Sequence, residues 1–98
     1  MIKIKEIIGT IGTIITCRFS NNEVKAIDLN EFIDRDRFIQ KIIETDQISL
    51  VKIGDFGQLY WPAQATMRDL KGIESATDYD VSPEFVYIHS KSVEPSLI

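Results

Sequence analysis

The run Gly57-Gln58-Leu59-Tyr60-Trp61-Pro62 constrains this chain more than any other. It reads as a strand checked by a proline, and Asp80-Val81-Ser82-Pro83-Glu84-Phe85-Val86-Tyr87 follows it as a capped helix start. Proline has no amide hydrogen, so ladder pairing on that side is expected to stop at Pro62. In the second run Ser82 is placed to accept from the first free helix amides, Pro83 suits the first helical position, and Glu84 meets the positive end of the helix dipole. Together the two runs mark a fold and contain no catalytic group.

A chain of 98 residues makes one domain. With 44% apolar and 27% charged residues it has the composition of a globular protein able to bury a core without staples. Every apolar run is broken by a charge well short of the ~20 residues a bilayer requires, so no membrane segment is expected. Met1 to Ile8 alternates charge with isoleucine, as a strand does and a signal peptide does not. The single Cys17 lies in an apolar run as a reduced, buried thiol, which fits the cytoplasm. A net charge of -4 opposes non-specific attraction to nucleic acid or anionic lipid.

Alternation of period two predicts strands over Ile2 to Lys5, Thr13 to Phe19 and Val24 to Leu29, with Gly9 and Gly12 as breaks. Asn21-Asn22 suits the centre of a two-residue hairpin turn. That register sets Phe19 against Val24, Cys17 against Ala26 and Ile15 against Asp28, and brings Arg18 and Lys25 together on an exposed face. Leu29, Phe32, Ile33, Phe38, Ile39, Ile42 and Ile43 recur at helical spacing, with Asn30, Asp34 and Asp36 as candidate caps and a break expected near Asp34. A second hairpin joins Ile48–Ile53 to Gln58–Trp61 through Gly54-Asp55-Phe56-Gly57. Ala63 to Thr77, with Gly72 inside it, reads as a short strand or an irregular loop. The helix beginning at Pro83 is expected to turn Phe85, Val86, Ile88 and His89 inward. The fold class is α+β: a small antiparallel sheet of two hairpins, about five strands, covered by a central helix and followed by a short C-terminal helix. Residues 1–90 form the domain and 91–98 a loosely ordered tail.

No catalytic, cofactor-binding or metal-binding residue is assigned. Asp55-Phe56-Gly57 spells a kinase triplet, but the glycine-rich loop, strand lysine and catalytic aspartate that would accompany it are missing, so it is read as a turn. His89 has no second histidine or cysteine to share a metal, and Cys17 has no histidine partner nearby in sequence. Asp34-Arg35-Asp36-Arg37 alternates in sign like a solvated helix start. Two other readings rest on charge. Asp55, Asp78 and Asp80 could form a carboxylate site in a small enzyme or ligand-binding domain, and Lys3, Lys5, Arg18 and Lys25 could form a weak nucleic-acid-binding face.

Tyr60 and Trp61 point to opposite faces of one strand. Either Trp61 belongs to the core with Tyr60 packed beneath Ala63–Thr77, or an aromatic is free for contact. Tyr60, Trp61, Tyr79 and Phe85 are the candidate anchors of a protein-binding surface. Exposed edge strands also permit a homodimer.

The order of the Phe19-Ser20-Asn21-Asn22 turn, the Leu29-Asn30 step into the helix, the Tyr60-Trp61-Pro62 step and the Asp80-Val81-Ser82-Pro83 helix start resembles the bacterial domain of unknown function 2442, over about residues 10 to 90. The resemblance implies a small α+β domain without established catalytic residues. Some members stand alone; others are joined to a helix-turn-helix DNA-binding domain. Stand-alone members are often encoded beside an uncharacterised partner, which implies an antitoxin-like or accessory role toward an adjacent gene's product. This chain departs from the family pattern in the segment from Thr66 to Tyr79, and no basic recognition helix is found in residues 83 to 92.

Overall fold

The computed structural model describes Met1–Val93. Among these residues the class is α+β, with seven strands in two antiparallel sheets and two α-helices. The strands β1 (Ile4–Ile11), β2 (Ile14–Phe19), β3 (Val24–Asp28) and β7 (Lys91–Ser92) form one sheet in the order β1-β2-β3-β7; β4 (Lys52–Ile53), β5 (Leu59–Arg68) and β6 (Glu74–Val81) form the other in the order β4-β5-β6. The expected hairpins are therefore divided between two sheets. These meet where the Ile4 amide donates to the Gly57 carbonyl at 2.9 Å. Gly57 sits at φ 75°, and an added Cβ would lie 2.5 Å from Lys3 Cβ, so both the turn and the junction require glycine.

Three hairpin loops share one construction. The Phe19, Gly54 and Asp69 amides donate to the Glu23, Gln58 and Ile73 carbonyls, while the Asn22, Gly57 and Gly72 amides donate back to the Phe19, Gly54 and Asp69 carbonyls. Asn22, Gly57 and Gly72 all have positive φ. This is a three-residue loop whose last residue is left-handed. In the first hairpin it displaces the expected two-residue register by one. Arg18 lies opposite Val24, Cys17 opposite Lys25 and Ile15 opposite Ile27. A one-residue slip exchanges faces, so Arg18 and Lys25 point to opposite sides of the sheet instead of meeting. Lys25 turns inward and donates to the Tyr87 carbonyl at 2.6 Å, with its ammonium 3.9 Å from the centre of the Tyr87 ring. Arg18 turns outward and pairs with Glu6 at 3.2 Å.

Helix α1 (Arg37–Glu44) starts where Asp36 Oδ1 accepts from the Phe38 amide at 2.8 Å, and its Ile39 and Ile42 are buried. The preceding turn, Leu29–Phe32, is 3-10 helix started by Asp28, so the helical region is broken before Asp36 as expected. Ile48–Leu50 is also a 3-10 turn, and only Lys52 and Ile53 of the expected strand pair with β5. Pairing with β4 ends at Tyr60, and the β5–β6 ladder is interrupted between Trp61 and Ala65, consistent with the check expected at Pro62. The strand does not end there. A bulge with Ala63 at φ 58° carries it onward to Arg68.

Helix α2 (Pro83–His89) is capped by Ser82 Oγ, which accepts from the Phe85 amide at 3.1 Å. Pro83, Val86 and Ser90 are buried on one side, so Ile88 and His89 do not face inward; Ile88 is 73% exposed. The expected tail opens with an ordered step: Lys91 and Ser92 pair with Ala26 and Lys25, and residues 94–98 lie outside the described residues. The core unites both sheets and both helices through Ile15, Cys17, Phe19, Leu59, Trp61, Ile42 and Val86. No helix among the described residues is long and apolar enough to cross a membrane.

Candidate contact surface

The expected aromatic anchors occupy different environments. Trp61 has no exposed surface, and its indole N–H donates to the Ile48 carbonyl at 3.3 Å. It is a core residue and cannot serve as a contact in the folded protein. Tyr60 is half-buried on the opposite face and lines a hollow with Asp55, Asp78 and Asp80. All three carboxylates are exposed, and Asp78 Oδ1 accepts from the Ala63 amide at 3.3 Å. The structure thus brings this group around one shallow polar depression, where water reaches each member. Among the described residues no group of three or more His, Cys, Asp or Glu side chains could hold a metal ion.

Tyr79 and Phe85 line a second concavity of about 380 Å³ between the start of α1, the end of β6 and α2. Its apolar wall contains Phe32, Ile39 and Phe85, with His89 packed against Phe85 at a ring separation of 4.3 Å and a tilt of 45°. The Tyr79 hydroxyl donates to Asp36 Oδ2 at 2.5 Å. Asp36 therefore caps α1 with one oxygen and ties β6 to it with the other. Burial, the Asp36 bond and the Asp36 charge all raise the Tyr79 phenol above its ordinary range. The hydroxyl is a fixed donor at neutral pH.

The expected basic residues and Cys17 are dispersed. Lys3 and Lys5 are exposed, while Arg18 and Lys25 are engaged on opposite faces. Burial pushes the Cys17 thiol up to about 12, so it is protonated and inaccessible at neutral pH.

The most exposed apolar surface lies where the sequence was least readable. Residues 65–77 form the outer part of the β5–β6 ribbon, with Ala65 opposite Thr77, Thr66 opposite Ala76, Met67 opposite Ser75 and Arg68 opposite Glu74. Alternation separates the two faces. The face carrying Trp61, Tyr79 and Val81 in the core continues through Ala65 and Thr77 to Met67 and Ser75. The opposite face carries Thr66, Arg68, Glu74, Ala76 and Asp78. Ala65 is still buried, whereas Met67 is 58% exposed, Ile73 60% and Leu70, at the tip, wholly exposed. The core face thus runs past the body as an uncovered apolar stripe on a projecting arm, in a molecule 54 Å long and 28 by 20 Å across.

Alternation over Ala63–Thr77 is weak because its polarity is mixed and its outer residues, from Thr66 to Ala76, are exposed. The readable signal was the turn. Asp69 Oδ1 accepts from the Lys71 and Ile73 amides, and Gly72 has φ 81°. An aspartate three residues before a glycine is hairpin chemistry, and it places two strands where a loop was also allowed. No protein-family model, curated protein or solved structure matches the chain.

Proposed function

We propose that the protein is a non-enzymatic protein-binding module of the cytoplasm, an antitoxin-like or accessory partner for the product of an adjacent gene, with the β5–β6 arm as its contact element. One observation carries the reading: the core-facing side of β5 and β6 continues beyond the body with Met67, Ile73 and Leu70 in solvent. Covering exposed side chains of this size releases ordered water and is the common source of stability at protein contacts. The resemblance to the bacterial domain of unknown function 2442 supports the choice of a neighbouring gene product as partner. The segment by which this chain departs from that pattern is largely the arm itself.

The aromatic cleft containing Tyr79 and Phe85 lies beside the base of the arm and offers a place for one side chain of the same partner. Trp61→Ala is unsuitable as a probe of contact because it empties the core. The test is co-expression with the neighbouring product and size-exclusion chromatography. A Met67→Glu/Ile73→Glu double variant is expected to remain folded and to weaken the complex at least about tenfold, equivalent to roughly 1.4 kcal/mol. A folded double variant that binds unchanged would remove the arm from the interface.

A further inference from the structure

Strand β6 is an edge: β5 lies on one side and no strand among the described residues lies on the other. Apart from the ladder to β5, no backbone hydrogen bond from elsewhere among the described residues reaches Glu74–Val81. Such a row of amides and carbonyls is a template for another strand, which proteins ordinarily blunt with lysine, proline or a bulge. The β6 sequence, Glu-Ser-Ala-Thr-Asp-Tyr-Asp-Val, contains no lysine, arginine or proline, and the bulge of this ribbon lies on β5. Its charges are all acidic and lie on the exposed face away from the core. Glu74 is paired with Arg68 of β5 at 2.7 Å and Asp78 accepts from the Ala63 amide with one oxygen, while no cation pairs with Asp78 or Asp80 among the described residues. Ser75 and Thr77 lie on the other face, beside the stripe of Met67 and Ile73.

Those two rows select an occupant. A second copy presenting its own β6 would set acid beside acid, which cross-strand geometry penalises. The chain's own segment of complementary pattern, Ile2-Lys3-Ile4-Lys5, is already used: Ile4 is buried, lies opposite Phe19 and donates to Gly57. We infer that the open edge of β6 is a docking site for an extended segment of a different protein, in which lysine or arginine alternates with apolar residues. Its basic side chains lie beside Asp78 and Asp80, and its apolar side chains widen the stripe of Met67 and Ile73. Backbone hydrogen bonds supply affinity and the alternation supplies selectivity, as in other cases of strand addition. The inference rests on reading the arm as a protein contact and adds the mode of binding and the chemistry of the partner.

The probe is a synthetic octapeptide of alternating lysine and valine, blocked at both ends and titrated into the protein with backbone amide exchange as the readout. Saturable binding that slows exchange at amides between Glu74 and Asp80 is expected, together with failure of the glutamate–valine peptide. Methylation of the peptide nitrogens at either the lysines or the valines keeps the charge, and one of these two registers should lose binding. Asp78→Asn/Asp80→Asn should weaken the parent peptide about three- to tenfold, as the loss of two cross-strand charge pairs. The inference is overturned by absence of binding, by equal binding of both methylated peptides, or by protection confined to other strands. If the neighbouring gene's product still requires Met67 and Ile73 after such a result, the arm is a contact and only strand addition is wrong. If that complex ignores Met67 and Ile73 as well, the contact reading itself is overturned.

Discussion

The inner and outer parts of the β5–β6 ribbon share one antiparallel ladder and differ in what lies beneath it. In the inner part Leu59, Trp61 and Val81 are buried under the body; in the outer part Met67, on the same face, is 58% exposed. Backbone hydrogen bonds are present in both, so they do not explain a difference in strength between them. Burial does. An isolated two-stranded hairpin is marginal in water, whereas three strands against a helix can hold. The inner ribbon has β4 beside it and α1 packed against it, and the outer ribbon has neither. The lesson is that a regular ladder can extend a rigid body into solvent without extending its core.

The sharpest test of that contrast is a pair of truncations. Trp61→Ala removes a fully buried indole and one of the two donors to the Ile48 carbonyl, which keeps the Val51 amide, so a loss of about 3–5 kcal/mol is expected in chemical denaturation. Met67→Ala, on the same strand face, should change stability by no more than about 0.5 kcal/mol. Comparable losses at the two positions would show that the outer ribbon is part of the cooperative core.

Alkaline titration probes the buried body by charge. The Cys17 thiol is raised by burial from 9.0 to about 12, so above pH 9 the unfolded chain ionises while the folded protein keeps its proton. The stability this contributes is present in full below pH 9 and is lost as pH rises toward 12. Its full extent is about 4 kcal/mol, three pH units at 1.36 kcal/mol each. Tyr79, raised in the same direction, adds to the loss above pH 10. Denaturation midpoints should therefore fall through this range, and Cys17→Ala should show a shallower fall from a lower starting stability. An unchanged slope in the variant would mean that another group governs alkaline unfolding.

Much of the body was legible because its signals are local. Ser82-Pro83 and Asp36 cap their helices as sequence chemistry requires, and the stripe through Ile39 and Ile42 faces the core. The β2–β3 register was not legible, since Asn21-Asn22 suits both a two-residue turn and a three-residue loop ending at Asn22. The bonds of Phe19 with Asn22 and Glu23 decide between them. Ile48–Ile53 has the alternation of a strand, yet Ile48 is drawn under Trp61, whose indole takes the carbonyl that a ladder would have used. In α2 the inner side is set by Pro83 and Val86, so apolar character at Ile88 misdirects. Among the contact candidates, strand alternation separated Tyr60 from Trp61, but tertiary packing determined which one was buried. Met67, Leu70 and Ile73 escaped notice because an uncovered strand pair shows no buried periodicity.

The joint between the two regions offers a small effect and a test of opposite sign. Ala63 lies at φ 58° in the bulge where β5 leaves the body, and it is exposed. An L-residue there costs roughly 1–2 kcal/mol because its Cβ crowds the following carbonyl, and glycine removes that cost. Glycine also gives the unfolded chain more freedom, which returns about 0.4–1 kcal/mol. Ala63→Gly should therefore raise stability by about 0.5–1 kcal/mol, seen as a higher denaturation midpoint at unchanged slope. The gain should leave amide exchange in Thr66–Ala76 unaltered, because the relieved strain belongs to the folded body and not to local opening of the arm. A lower midpoint would show that the Ala63 methyl packs at the joint. A stabilised body with a slower-exchanging arm would show that the bulge couples the two, and the division between them would have to be redrawn beyond Ala63.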